Sequence, residues 1–587
     1  MSQPSAGKQP EKDPAQVLVL SARWRSLLFL LIAVALVAPI FSQPSAFVDT
    51  YDARYFQAWL EAGRRSLLWF SELPLWNPWT CGGQVYLANP QSTIASPTFV
   101  WVLLFGAALG SKLIVVTYLW LALDGMYRLA RAYGLFDDAA LLAAILFAGS
   151  GWFALHLSVG HLNFAGAALL PYMLLCQRRA QDQIEWSIPL GALMAWTIGL
   201  GGTTTPAIAT VFLGLMTGVE LFQRRSARPL CVLLAALVAT VLIGAVRLLP
   251  ALEFAKDHPR SIQQTDFNIL PFLFKSALIW QGASPVSGKP YAFHEYGWKL
   301  PILIWPLLVC ALRRPRARWD LWLLFVFGVA IAAGSALPFG PWGLLKKLPL
   351  FRDLRVPSRY IVLTAFAASL LAASAAGRLL ANRPYRRTAM WLLFAIFAGE
   401  SIAYSVWLYG RTPLRAFAIA NAGSPFFQVQ SHWSRMLPDL LQNRGVIGCD
   451  EEAPLQRAKE LDLGDVPQAR LLDPQAGRVN LTQFAPSRLR LQVELSVETL
   501  VLLNTNWNEH WRTNIGRIEK FGEKHPRDRD GGRLAVRLPA GTHDLEVRYR
   551  PASFVVGLWT SLLAGTALLL GFGWATRRRR QLMEPSA

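Results

Sequence analysis

Two carboxylates three residues apart, Asp49 and Asp52, stand directly after the first apolar run of the chain. They open the stretch FVDTYDARYFQAWLEAGRRSLLWFSELPLWNPWTCGGQVYLANPQSTIASP, residues 47–97. An acidic pair at the mouth of a membrane span is costly unless it is used or solvated. A carboxylate there can take the proton from an attacking hydroxyl. It can also offset positive charge on a sugar ring as an anomeric bond breaks. If a helix begins at Asp49, both acids project from one face. Asp49-Thr50 can instead cap that helix, because an acceptor there satisfies free N–H groups. The reading assigns catalysis to Asp49, with Asp52 as the second acidic position.

Three further groups have chemistry to offer. Arg352, Arg355 and Arg359 lie within eight residues beside Pro357 and Lys346-Lys347. A guanidinium forks onto phosphate oxygens, so Arg355 and Arg359 are expected to grip an anionic substrate; anchoring on lipid headgroups is the plainer role. His156 and His161, followed by Asn163, form an H-x4-H pair, a weak metal pattern that reads better as interfacial histidines. His294-Glu295-Tyr296 precedes another apolar run, and Glu295 is a second acid/base or substrate-binding candidate, or an ordinary loop glutamate. Asn77, in the turn Trp76-Asn77-Pro78, joins Arg352 and His161 as a substrate-binding candidate. Trp76, Trp79 and Trp280 are candidates to face a sugar ring, although most of the 23 tryptophans read as interface belt. An Asp49/Asp52 pair could hold Mg²⁺ or Mn²⁺, and nothing in the sequence forces a metal.

These residues need a frame, and the composition says which. The 587 residues are 53% hydrophobic, with a mean hydropathy of +0.31. The apolar residues come in blocks matching the length needed to cross a hydrocarbon core about 30 Å thick. The net charge of +21 sits in short arginine clusters between those blocks. That is the positive-inside pattern, and it argues against nucleic acid as a partner. Spans are expected at about 24–41, 112–129, 139–157, 162–176, 187–202, 205–222, 229–250, 298–312, 319–337, 359–380, 388–409 and 553–575. Residues 98–109 are taken as re-entrant or interfacial. This gives a polytopic α-helical membrane protein of about twelve spans, with both termini cytoplasmic.

The domain boundaries follow. Residues 1–22 form a disordered cytoplasmic tail and 23–410 a transmembrane domain with its first external loop at 42–97. Residues 411–550 form an extracytoplasmic β-rich domain, 551–576 the final span and 577–587 a basic tail. From about Arg478 the runs LRLQVEL, TLVLLNT, RLAVRL and HDLEVRYR alternate apolar and polar residues between the turns Asp530-Gly531-Gly532 and Pro539-Ala540-Gly541. That pattern reads as antiparallel strands of a small β-sandwich. Residues 411–477 lack periodicity. No cleavable signal peptide is evident. Five cysteines without ligand spacing give no disulfide framework; Cys81 and Cys449 both fall outside and could pair, but are expected to stay free.

The strings VDTYDARYF…WNPWTCGGQVYLANPQS, GHLNF…LLPYMLL, YGWKLPILIWPLL, LRVPSRYIVL and LPAGTHDLEVRYRP occur in that order. Together they resemble the YfhO-type bacterial membrane proteins, placed among the GT-C-fold glycosyltransferases, over residues 26–576. The resemblance implies a GT-C-like enzyme of the bacterial inner (cell) membrane. Such an enzyme moves a sugar from a polyprenyl-phosphate donor to a glycan, lipid or protein acceptor on the outer face. It implies an essential aspartate at Asp49 and phosphate-facing arginines at Arg355 and Arg359. Two departures stand out. Val48 replaces the family's glycine before the first aspartate, and Trp507-Asn508-Glu509-His510-Trp511 replaces an aromatic-Pro-Gly-Trp turn. A transporter or flippase of lipid-linked saccharide, or a non-catalytic assembly protein, is the alternative. Internal repeats and midplane polar residues, the marks of transporters, are not evident.

Overall fold

A computed structural model describes residues 21–258, 270–349, 351–352, 354–449, 461–522 and 532–583. The N-terminal tail (1–20) and the Asp530-Gly531 part of one expected turn lie outside the described residues. Helices stand at all twelve expected positions. Among the described residues, however, seven are long and apolar enough to cross a membrane: Pro97–Ala132, Asp137–Ser158, Thr204–Arg224, Arg228–Lys256, Pro357–Leu379, Arg386–Tyr409 and Ala552–Arg579. The count of about twelve is not reached because the others are short. Ser187–Gly199 has 13 residues and Ile304–Ala311 has eight, so at 1.5 Å per residue they span about 20 and 12 Å. The chain is a multi-pass helical membrane protein with a C-terminal sheet region.

The run from Pro97 to Ala132 is apolar throughout, yet its backbone breaks at Gly106, where φ is +77°. The piece before the break folds back on the piece after it. Trp101 Nε1 donates to Thr117 Oγ1 at 3.0 Å, and a Cβ on Gly110 would lie 2.7 Å from the Val102 Cα. Contacts between residues 16 apart are impossible along a straight helix, where they stand about 24 Å apart. The expected re-entrant segment is this short arm.

Arginine clusters gather at one end of the bundle and tie it together. Arg131 pairs with Asp137 at 3.0 Å, Arg178 with Asp320 at 3.0 Å, Arg386 with Asp138 at 3.0 Å and Arg579 with Glu185 at 2.9 Å. His156 lies in the second of two successive helices, Asp137–Ala148 and Gly151–Ser158, which break at Ser150, at the far end of that run from Asp137.

At that far end the first loop is built into a layer. Thr50 caps the helix Tyr51–Leu68, its Oγ1 accepting from Ala53 N at 3.4 Å, and the helix buries Phe56, Trp59, Leu60 and Ala62. Phe47–Val48 pairs antiparallel with Leu414–Arg415. Arg65, fully buried, donates to the carbonyls of Leu440 and Leu441 at 2.6 and 3.1 Å, closing the C-terminal end of the short helix Met436–Leu441. Contrary to the sequence expectation, Cys81 and Cys449 form a disulfide across 368 positions. Their own spacing carries no signal, because the pairing depends on how 411–449 folds onto the loop.

Beyond this layer stands a sandwich of two four-stranded antiparallel sheets. One runs Arg517–Phe521, Arg533–Leu538, Thr499–Asn506, Ala469–Leu471; the other runs Trp511–Thr513, Gly541–Tyr549, Arg488–Leu495, Gly477–Ala485. Alternation along Arg488–Leu495 buries Leu489, Leu491, Val493 and Leu495, as its sequence requires. The loop grips the sandwich through Trp76, which packs on Trp511 and Tyr549 and donates to Thr505 Oγ1 at 3.1 Å. Asn506 Nδ2 donates to the carbonyls of Cys81 and Gly83 at 2.7 and 2.8 Å.

Candidate functional site

The two acids that open the first loop part company. Because the helix starts at Tyr51 with Thr50 as cap, Asp49 precedes it and Asp52 sits in its first turn. Asp49 accepts from Arg54 Nε at 2.5 Å, and its backbone N–H donates to the Pro413 carbonyl at 2.8 Å. Asp52 Oδ2 instead lies 3.0 Å from His161 Nε2. The two therefore take different partners, Arg54 and His161.

Asp52 belongs to a polar cluster drawn from four loops at one end of the bundle. His161 follows the helix Gly151–Ser158 and reaches back, its Nδ1 3.2 Å from Nδ1 of the fully buried His156. His294 and Glu295 come from the short turn Phe293–Glu295, and the His294 ring is 5.2 Å from that of His161. Arg359 closes its fork on Glu295: Nε reaches Oε2 at 2.7 Å and Nη2 reaches Oε1, while Nη1 donates to Thr204 Oγ1 at 3.2 Å. Phe164 floors the group, stacked on His156 at 4.4 Å with Arg359 4.9 Å from its ring centre.

Several turns fix these positions. Thr50 Oγ1 donates to the Val159 carbonyl at 2.7 Å. Gly160, at φ +94°, lies so close to the helix that a Cβ would be 2.3 Å from the Ala53 Cα. Ser358 Oγ donates to the Glu295 carbonyl at 2.6 Å, and Trp152 Nε1 to that of Arg359 at 3.1 Å. A helix and three turns are thereby locked together.

The charge states follow from these contacts. Burial works to raise the Asp52 carboxyl, but the charge and hydrogen bond of His161 bring it below its ordinary value. Burial pushes His294 down to about 4, which leaves the imidazole neutral at physiological pH. Burial opposes ionisation of Glu295, yet Arg359 holds it well below the usual carboxylate range.

Of the residues singled out in the sequence, Asp52, His161, Glu295 and Arg359 are brought together. Asp49 stands at the start of the same helix, held by Arg54. Arg355, four residues before Arg359, lies 5.7 Å from the Tyr291 ring centre. The backbone carbonyl of Arg352 accepts from Lys346 Nζ at 2.6 Å. Asn77 is elsewhere: fully buried under the sandwich, its Oδ1 accepts from Trp79 N at 3.1 Å. Trp76 and Trp79 are likewise structural. Trp79 Nε1 donates to Asn443 Oδ1 at 2.9 Å, and both rings are buried. Trp280 packs on Tyr404 and Trp407. His294 and Thr204 are the residues that the sequence left without a role. His294 adjoins Glu295, and Thr204 follows Gly201-Gly202, both at positive φ; those adjacencies were the available signal.

No protein-family model and no curated protein matches the chain. Among solved structures it is similar to the arabinofuranosyltransferase AftD from mycobacteria, with 15% identity, 90% of this chain covered and a TM-score of 0.48. The chain spans about 40% of AftD's length. It is also similar to ArnT from Cupriavidus metallidurans (15% identity, 74% of this chain and 87% of ArnT, TM-score 0.43). A third likeness is to the Archaeoglobus fulgidus oligosaccharyltransferase (16% identity, 72% and 62%, TM-score 0.39). At these scores the likenesses carry no inference about the reaction.

Proposed function

We propose that this chain is a membrane glycosyltransferase that moves a sugar from a polyprenyl-phosphate donor to an acceptor on the outer face of a bacterial membrane. One observation carries the reading. Asp52, His161, His294, Glu295 and Arg359 come from loops more than three hundred positions apart and converge at the bundle end opposite the arginine clusters. By the positive-inside rule that end faces outward, and polar groups so placed are costly unless they are used.

In this reading the donor phosphate lies against Arg355, while Arg359 braces Glu295 in the polar cluster. The acceptor hydroxyl gives its proton to Asp49 as its oxygen attacks the anomeric carbon. The anomeric C–O bond breaks and polyprenyl phosphate leaves with the electron pair, so a single displacement inverts the anomeric centre. The acceptor approaches past the sandwich, where Glu253, Asn508, Glu509, His510 and Tyr549 line a cavity of about 340 Å³. This polar wall occupies the position of the altered Trp507–Trp511 turn.

The test is release of polyprenyl phosphate from radiolabelled donor in membranes carrying wild type, Asp49→Asn or Arg355→Ala. Loss of a general base costs about 10²–10⁴-fold, so at least a hundredfold drop is expected for Asp49→Asn. Normal release by both variants overturns the assignment.

A further inference from the structure

We propose that Asp52, His161 and His294 form a binding site for one divalent transition-metal ion, with zinc the best match. One ligand atom from each residue, a carboxylate oxygen and two ring nitrogens, lies within 4.8 Å of the others. A tetrahedral ion with bonds of about 2.0–2.1 Å needs donors about 3.4 Å apart. Asp52 Oδ2 and His161 Nε2, in hydrogen-bond contact at 3.0 Å, need to part by only about 0.4 Å as the ion replaces the shared proton. His294 has at most about 1.4 Å to close, within reach of a side-chain rotation. Two imidazoles and one carboxylate are a three-ligand set of the kind that leaves a fourth position open on zinc. Magnesium, which prefers an all-oxygen shell, is poorly served by it.

The surroundings are those of a metal ligand set. A ligating histidine commonly uses its other ring nitrogen to fix its tautomer. His161 does so against His156, Nδ1 to Nδ1 at 3.2 Å, which leaves Nε2 facing Asp52. Nδ1 of His294 is buried without a hydrogen-bond partner among the described residues, and its Nε2 is 3.8 Å from Glu295 Oε1. A buried imidazole nitrogen left in this state costs free energy that a metal bond would recover. Glu295 does not compete for the ion, because both its oxygens are taken by Arg359. Asp52 and His161 are held on rigid backbone by the packing of Gly160 on Ala53.

The test is metal content of the purified full-length protein after loading with zinc, manganese or magnesium and removal of excess. Wild type is expected to keep about one zinc or manganese ion per chain, and His294→Ala and Asp52→Asn to keep none. His432→Ala, which alters an exposed histidine outside the cluster, should bind as wild type does. Cobalt(II) loading supplies a second reading: a visible ligand-field band characteristic of nitrogen-oxygen tetrahedral coordination appears in wild type and His432→Ala alone. A loaded wild type without metal, retention of magnesium only, or unchanged metal content in both triad variants overturns the proposal. Metal content is read without any sugar transfer, so this result and the glycosyltransferase assignment stand or fall separately.

Discussion

Gly160 governs the geometry of the cluster although it has no side chain. Its positive φ costs any other residue strain of about 1–3 kcal/mol, and its neighbour Ala53 leaves no room for a Cβ. Gly160→Ala should therefore push the helix that carries Asp52 away from His161. The expected outcome is a thermally destabilised protein that has lost the Asp52–His161 pairing, measured by a fall in melting temperature together with loss of donor turnover. A variant with wild-type stability and turnover would show that this close approach is dispensable. At this scale Asp52, His161, Glu295 and Arg359 were legible as chemically capable residues in loops assigned to one face of the membrane. His294 was not, because the H-x4-H spacing shows only two histidines, and the third comes from a loop that nothing in the local sequence ties to them. The divergence of Asp49 from Asp52 was hidden for a local reason: it turns on whether the helix begins at Asp49 or Tyr51, and Thr50 rather than Asp49 takes the cap.

Among the elements, the first loop and the segment after the helix Arg386–Tyr409 act as one layer. Arg65 on the Leu440 and Leu441 carbonyls, the pairing of Phe47–Val48 with Leu414–Arg415, and the Cys81–Cys449 bond all join them. A cross-link over so long a stretch restricts the unfolded chain and typically contributes about 2–4 kcal/mol. Cys449→Ser, or reduction of the wild type, should lower the melting temperature and change the mobility of the denatured protein on a non-reducing gel. An unchanged melting temperature would mean that the layer holds without the bond. The sandwich was legible because strand alternation is written in consecutive residues. The layer was not, since 411–449 has little periodicity of its own and takes its shape from the loop beneath it. The hairpin at Gly106 lies between these cases: hydropathy merges its two arms, and the orientation required by the arginine clusters separates them.

For the whole molecule, the charge pattern fixed more than any single motif. Arginines from widely separated loops meet at one end of the bundle with their own acidic partners, and Asp52, His161, His294 and Glu295 meet at the other. The number of crossings was less legible, because an apolar run of 13 residues looks much like part of a span until its helix is seen to be short. The account's central claim is that this polar cluster works from the outer face on a lipid-linked donor. The most direct test supplies a membrane-impermeant acceptor to one side only of sealed vesicles of known orientation containing the wild-type protein and polyprenyl phosphosugar. The account predicts sugar transfer and polyprenyl phosphate release when the acceptor is on the extracytoplasmic side, and none when it is on the cytoplasmic side. Transfer confined to the cytoplasmic side, or none from either, would contradict it.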